Sequence, residues 1–123
     1  MSADRARYRG EPDAPDYMTS EDIKRHVTEH MSERVFRQRI LDEAKRCGWR
    51  YYFTQRSDRS PAGFPDLVLV RGHQMILAEL KTMKGRLTDA QKDWLLDLSG
   101  VKVVDATVWR PDEWEHIRDE VLP

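Results

Sequence analysis

The sequence predicts an α/β domain: a central mixed four-stranded sheet flanked by helices, in the order αβββαβ with a further C-terminal helix. Three observations predict it. Apolar runs of strand length alternate with amphipathic stretches of helix length. Two aliphatic runs meet at Gly72-His73, a two-residue connection of the kind that tight hairpins use. The 123 residues suit one domain with one core, and they hold no internal repeat or low-complexity tract.

Residues 1–18 are polar and carry two prolines, which reads as a flexible arm. A short helix from Thr19 or Ser20 to about His30 extends it, so the expected division is an arm over 1–31 and a folded domain over 32–123. Ser32 can cap the next helix, which Cys47-Gly48 ends, with Lys45 and Arg46 at its negative pole. Glu33, Phe36, Ile40 and Ala44 share one side of it. Trp49–Thr54 reads as a strand. The loop from Gln55 to Phe64 is rich in turn residues. Strands then follow over 66–71 and 74–81. Thr88 caps a helix to about Leu98 whose stripe is Trp94, Leu95 and Leu98, and Gly100 stops it. Val101–Trp109 is extended, with a break at Asp105. Pro111 opens the last helix in the first-turn position, and Trp114, Ile117 and Val121 form its buried face.

The hairpin carries the candidate chemistry. If Gly72-His73 sets the register, Arg71 pairs with Gln74, Val70 with Met75, and Asp66 falls opposite Glu79. Opposed residues have Cβ atoms about 4.5–5.5 Å apart, so one cation can touch both carboxylates. Lys81 shares the face of Glu79, while Leu80 points away. A hard dication such as Mg²⁺ is held by one or two carboxylates plus substrate phosphate. It activates water and polarises phosphate, and a neighbouring ammonium stabilises the charge that grows there. On spacing alone, a solvated charged hairpin explains the same residues.

Composition narrows the alternatives. Charged residues make up 35% of the chain and apolar ones 39%, and no apolar run approaches the roughly 18 residues of a membrane span. No secretory leader pattern opens the chain, and the single Cys47 excludes an internal disulfide. A cytoplasmic location, with no membrane partner, is the expectation. Net charge is −1, but its distribution is uneven. Lys45, Arg46, Arg50, Arg56 and Arg59 precede the hairpin, and Lys81, Lys84 and Arg86 follow it, as phosphate-contacting surfaces should. Arg56, Arg59, Lys84 and Arg86 are therefore candidate DNA contacts; solvated loops are the competing explanation.

The element order, together with Ser32-Glu33, Gly63-Phe64-Pro65-Asp66, Glu79-Leu80-Lys81, Thr88-Asp89-Ala90-Gln91 and Val108-Trp109-Arg110-Pro111, resembles the PD-(D/E)XK restriction-endonuclease-like superfamily. More narrowly, it resembles a stand-alone virus-type replication-repair nuclease (VRR-NUC) domain over roughly 32–122. The resemblance implies Asp66, Glu79 and the Leu80 carbonyl as metal ligands, Lys81 as catalytic lysine, Glu33 at the metal or its water, and Gln91 lining the site. It implies Mg²⁺ or Mn²⁺, DNA hydrolysis in replication, repair or recombination, and a phage, viral or bacterial setting. Small viral and phage members are associated with homodimers and branched DNA such as Holliday junctions. Two residues keep rival explanations: Thr88–Gln91 fits a capping box, and Glu33 suits any helix N-terminus.

Other motifs carry less. His26-Val27-Thr28-Glu29-His30 matches an H-x-x-E-H zinc pattern, yet no third ligand is identifiable. Cys47 reads as a small packed residue, His73 as a turn residue, and His116 lies among acids. Trp49, Tyr51, Tyr52 and Phe53 can stack on bases; alternation expects one subset in the core and the other available. The sequence thus points to a metal-dependent endonuclease acting on branched DNA, with a homodimer expected because a four-way junction needs two cuts. The alternatives are a nicking or linear-DNA endonuclease without junction preference, and a nucleic-acid-binding module that does not cleave.

Overall fold

A computed structural model describes residues 18–54 and 60–123, and the reading of Arg56 and Arg59 as DNA contacts falls outside them. Helix α1 spans Ser20–His30, α2 Glu33–Arg46 and α3 Asp89–Ser99; strands β1 to β4 span Arg50–Phe53, Leu67–Arg71, Gln74–Leu80 and Val104–Trp109. The strands form one sheet in the order β1-β2-β3-β4. The first two pairings are antiparallel and β3–β4 is parallel. A parallel neighbour needs a crossover, and α3 supplies it. The fold is therefore the α/β, mixed four-stranded sheet expected from sequence.

Caps and turns set the boundaries. Thr19, Ser32 and Thr88 each accept a backbone N–H at the start of a helix, which satisfies one of its orphan donors. Gly72 takes φ +59° in the hairpin turn, a left-handed conformation costly for other residues. The register that follows pairs Arg71 with Gln74 and runs to Leu67 opposite Ala78.

One face of the sheet holds the core. Leu67, Leu69, Ile76, Ala78 and Leu80 pack with Phe36, Ile40, Leu41 and Ala44 of α2, with Trp49 and Trp109, and with Ile117 and Leu122 of the C-terminal segment. Met31, between α1 and α2, joins the same cluster. Helix α1 buries none of its own residues, but Lys24 pairs with Glu115. The α3 face is thinner: no α3 residue is fully buried, and Trp94, Leu95 and Leu98 are half-buried. No helix of the described residues is long and apolar enough to cross a membrane.

Two elements differ from expectation. The fourth strand starts at Val104, because Val101 folds into a turn: its N–H donates to the Leu98 carbonyl at 3.0 Å and its carbonyl accepts from Val104 at 3.1 Å. Asp105 continues the strand with its side chain exposed instead of breaking it. The C-terminal segment is not one regular helix. A 3₁₀ turn over Pro111–Glu113 leads to α4, Trp114–His116, and then to a π-helical turn over Ile117–Val121. The wider turn lets Leu122 N–H reach the Ile117 carbonyl at 3.0 Å, and both side chains are fully buried.

Candidate active site

Three short stretches meet where β2 begins and β3 ends. The Asp66 carbonyl accepts from Thr54 N–H at 3.0 Å, on the β1 side, and Lys81 N–H donates to the Trp109 carbonyl at 3.0 Å, on the β4 side. Backbone direction alternates along a strand, so the N–H and C=O of Leu80 turn toward β2. Continuing the register two steps past Leu67–Ala78 places Pro65 opposite Leu80. Proline has no N–H to offer the Leu80 carbonyl. The Leu80 N–H, for its part, donates to Asp66 Oδ2 at 3.0 Å. Pro65 thus leaves a carbonyl without its ladder donor, and Asp66 is held by β3 itself.

Glu79 is the buried charged residue among the described residues, at 2% exposure. Its Oε2 accepts from Gln91 Nε2 at 2.9 Å and lies 3.8 Å from Lys81 Nζ. Its Oε1 is buried without a hydrogen-bond partner. Burial, reinforced by the hydrogen bond that the protonated carboxyl donates to Asp66 and by the Asp66 charge, pushes Glu79 up to about 8, against the pull of Lys81. Glu33 opens α2 nearby. Burial and then the charge of Asp66 raise its carboxyl as well.

The Gln91 rivalry dissolves in the geometry. Its Oε1 accepts from Thr88 N–H at 2.9 Å, and its own N–H donates to Thr88 Oγ1 at 3.1 Å, completing a capping box. The Nε2 end of the same amide reaches Glu79. An amide has an acceptor and two donors, so one side chain caps α3 and steadies Glu79 together.

The residues fit a hard cation. An orphaned carboxylate oxygen on Glu79, the Asp66 carboxylate and the Leu80 carbonyl are all oxygen donors of the kind Mg²⁺ takes. Among the described residues no group of three or more His, Cys, Asp or Glu gathers within metal-holding reach. The fit is therefore to a two-carboxylate site, with Glu33 felt through its charge and standing outside the cluster. His26 and His30 stack at 4.2 Å between ring centroids on an exposed face, without such a group around them.

Asp66, Glu33 and Gln91 open into a cleft of about 610 Å³, which Arg37, Tyr52, Thr54, Phe64 and Trp94 also line. Sequence reasoning did not place Arg37 or Phe64 in a site, and it assigned Trp94 only to the α3 stripe. The signals were Arg37 one helical turn after Glu33, and Phe64 two residues before Asp66. Of the strand aromatics, Trp49 is buried and Phe53 packs on the core, while Tyr51 and Tyr52 are both exposed. The core subset therefore lacks Tyr51, which stays exposed on the edge strand β1. Lys84 and Arg86 are exposed on the β3–α3 loop, away from the carboxylates in hydrogen-bonding terms. That loop is tied by Arg110, whose Nη1 donates to the Thr82 carbonyl at 2.6 Å and the Gly85 carbonyl at 2.7 Å.

Comparison with known proteins gives three results. The Holliday junction resolvase Hjc of the archaeon Archaeoglobus fulgidus is similar in structure, with 24% sequence identity, 59% of this chain and 62% of that chain covered, and a TM-score of 0.47. No curated protein gives a match. The family model of the VRR-NUC domain matches residues 16–109, from just before α1 to the end of β4. That stretch contains the whole sheet and every residue of the Asp66–Glu79–Lys81–Gln91 cluster, and the chain belongs to the VRR-NUC domain family.

Proposed function

We propose that this chain is a Mg²⁺- or Mn²⁺-dependent DNA endonuclease. The observation that carries the reading is Glu79: a buried carboxylate with an orphaned oxygen, beside Asp66, within 3.8 Å of Lys81 and held by Gln91. Two acids crowded without a cation repel, and one keeps its proton, so the cluster is costly unless it holds a cation.

In this reading Asp66, Glu79 and the Leu80 carbonyl hold the ion. When bound, it supplies Lewis-acid charge for the phosphate and for the attacking water. Lys81 donates to the phosphate oxygens where charge grows. Gln91 fixes the Glu79 carboxylate in place. Glu33, its carboxyl raised by burial, serves the attacking water. Lys84 and Arg86 contact the DNA backbone, and Arg56 and Arg59, which lie outside the described residues, are proposed as further DNA contacts on their charge alone.

Branched DNA is the proposed substrate and a homodimer the proposed form, because the described residues of each chain form one such site and a four-way junction needs two cuts. The cytoplasm of a bacterium, or of a host harbouring a phage or virus, is the setting proposed. One assay tests all of this. The protein is incubated with Mg²⁺ or Mn²⁺ and labelled four-way, flapped, nicked and linear DNA, alongside Asp66→Ala and Lys81→Ala. Expected is metal-dependent cutting of branched forms, reduced roughly 100-fold or more by either substitution. Binding without cutting by the wild type makes the chain a non-cleaving module. Equal cutting of linear and branched DNA leaves an endonuclease without junction preference. Light scattering that finds only monomer removes the dimer.

A further inference from the structure

We propose that the cleft beside the carboxylates is a stacking pocket for an unpaired nucleobase next to the scissile phosphate, with Tyr52 and Phe64 as its platforms. The inference rests on the reading of this site as a DNA nuclease site and deepens it. Tyr52 is 65% exposed and Phe64 40% exposed, and both line the cleft that Asp66 enters. Phosphate needs no such surface; cations and N–H donors serve it. Large rings left open beside a charged centre suit the flat face of a base, which every nucleotide carries.

Phe64 is held in place from behind. Trp94 meets it edge to face, with ring centroids 5.1 Å apart and an interplanar angle of 85°. Trp94 is itself tied, its Nε1 donating to the Ala62 carbonyl at 3.1 Å. Gly63 brings the backbone against α3: a Cβ there would lie 2.5 Å from the Ala90 carbonyl carbon and oxygen. The platform is thus fixed to α3, the helix that also places Gln91. Arg37, its guanidinium 4.9 Å from the centroid of the Phe53 ring, adds a cation on the cleft wall. A cleft of about 610 Å³ is within the usual range for small-ligand sites.

The pocket supplies a physical reason for structure selectivity. A base inside a duplex shows its edges but not its faces, and extruding it costs a few kcal/mol. A base already unpaired at a branch, flap or gap enters without that cost.

The test measures equilibrium affinity of the full chain, with Ca²⁺ replacing Mg²⁺, for paired DNA carrying a two-nucleotide gap and for the same DNA without one. A 2-aminopurine base in the gap reports stacking by quenching, and Mg²⁺ cutting is followed on the same samples. Expected is quenching on binding, with gapped DNA preferred. Tyr52→Ala and Phe64→Ala should weaken gapped-DNA binding roughly 5- to 150-fold, collapse the preference and relieve the quenching. Tyr52→Phe, which keeps the ring, should restore all three. Equal losses on gapped and fully paired DNA, or unchanged quenching in Tyr52→Ala, overturn the proposal. Ring-dependent binding with no cutting in Mg²⁺ or Mn²⁺ supports the pocket and sinks the hydrolase reading instead.

Discussion

Glu79 and Gln91 show how much can rest on two side chains. Burying a carboxyl without a cation favours its protonated form, and burial together with Asp66 raises Glu79 to about 8 from an ordinary 4.5. Between those values the folded state holds a proton that the unfolded chain lacks. The resulting stability is complete below about pH 4.5 and is lost as pH rises through 8, by up to a few kcal/mol. Calorimetry of metal-free protein should therefore show Tm falling from pH 5 to 9. Glu79→Gln should flatten that slope, and Mg²⁺ should raise Tm more at pH 9 than at pH 6. A Tm that rises toward pH 9 without metal would contradict this account. For Gln91, replacement by Ala removes both an acceptor for Thr88 and the donor to Glu79, and should cost about 1–3 kcal/mol in urea melts. Gln91→Glu keeps the acceptor and adds an acid, so it should retain more stability than Gln91→Ala yet cut DNA at least tenfold more slowly than wild type. Asp66, Glu79 and Lys81 were legible as a cluster because a two-residue turn fixes register and register fixes faces; Gln91, on α3, was brought to the site by the family resemblance. What sequence could not reveal was that Gln91 has two partners; that depends on where the β3–α3 loop sets the helix.

At the scale of elements, the molecule is closed by cations placed on backbone carbonyls. Arg71, at the end of β2, donates to the carbonyls of Cys47 and Leu122 at 3.0 and 2.9 Å and to Pro123 at 2.9 Å, and it stacks on Trp49. Trp49 Nε1 donates to the same Leu122 carbonyl at 2.9 Å. Arg71→Ala should cost about 2–4 kcal/mol by chemical denaturation, and Arg71→Lys should recover less than half, since an ammonium lacks the planar fork. Recovery to wild type by Lys would show that charge alone matters. Neither tie was readable beforehand, because they link residues 24 to 73 positions apart through carbonyls that any sequence carries. The hairpin, the Ser32 and Thr88 N-caps and the buried face of α2 were readable, because each is encoded within a few residues. The C-terminal segment was misread as one helix for a related reason: its apolar spacing suits a helix, but Ile117 and Leu122 are five apart and both must reach the core.

For the whole molecule, the sheet is covered well on the α2 side and thinly on the α3 side, and the site opens at that thinner side. Gly63 is the junction. Its φ is +99° and a Cβ would meet Ala90 backbone at 2.5 Å, so Gly63→Ala must push the Pro65-Asp66 strand start away from α3. A loss of about 1–3 kcal/mol is expected from the forbidden conformation and the clash, and cutting should fall further than stability does. Wild-type Tm with wild-type cutting would show that the contact is dispensable. The shared amide of Gln91 has a wider meaning. A helix end normally frays on its own, as the least stable turn of its element. Here that turn and the carboxylate beneath it close on one side chain, so the opening of one loosens the other. Amide exchange at Lys92 and Gln91 should consequently slow when a cation occupies the carboxylates several residues away in space. The first turn of α3 would then serve as a built-in gauge of whether the site is loaded.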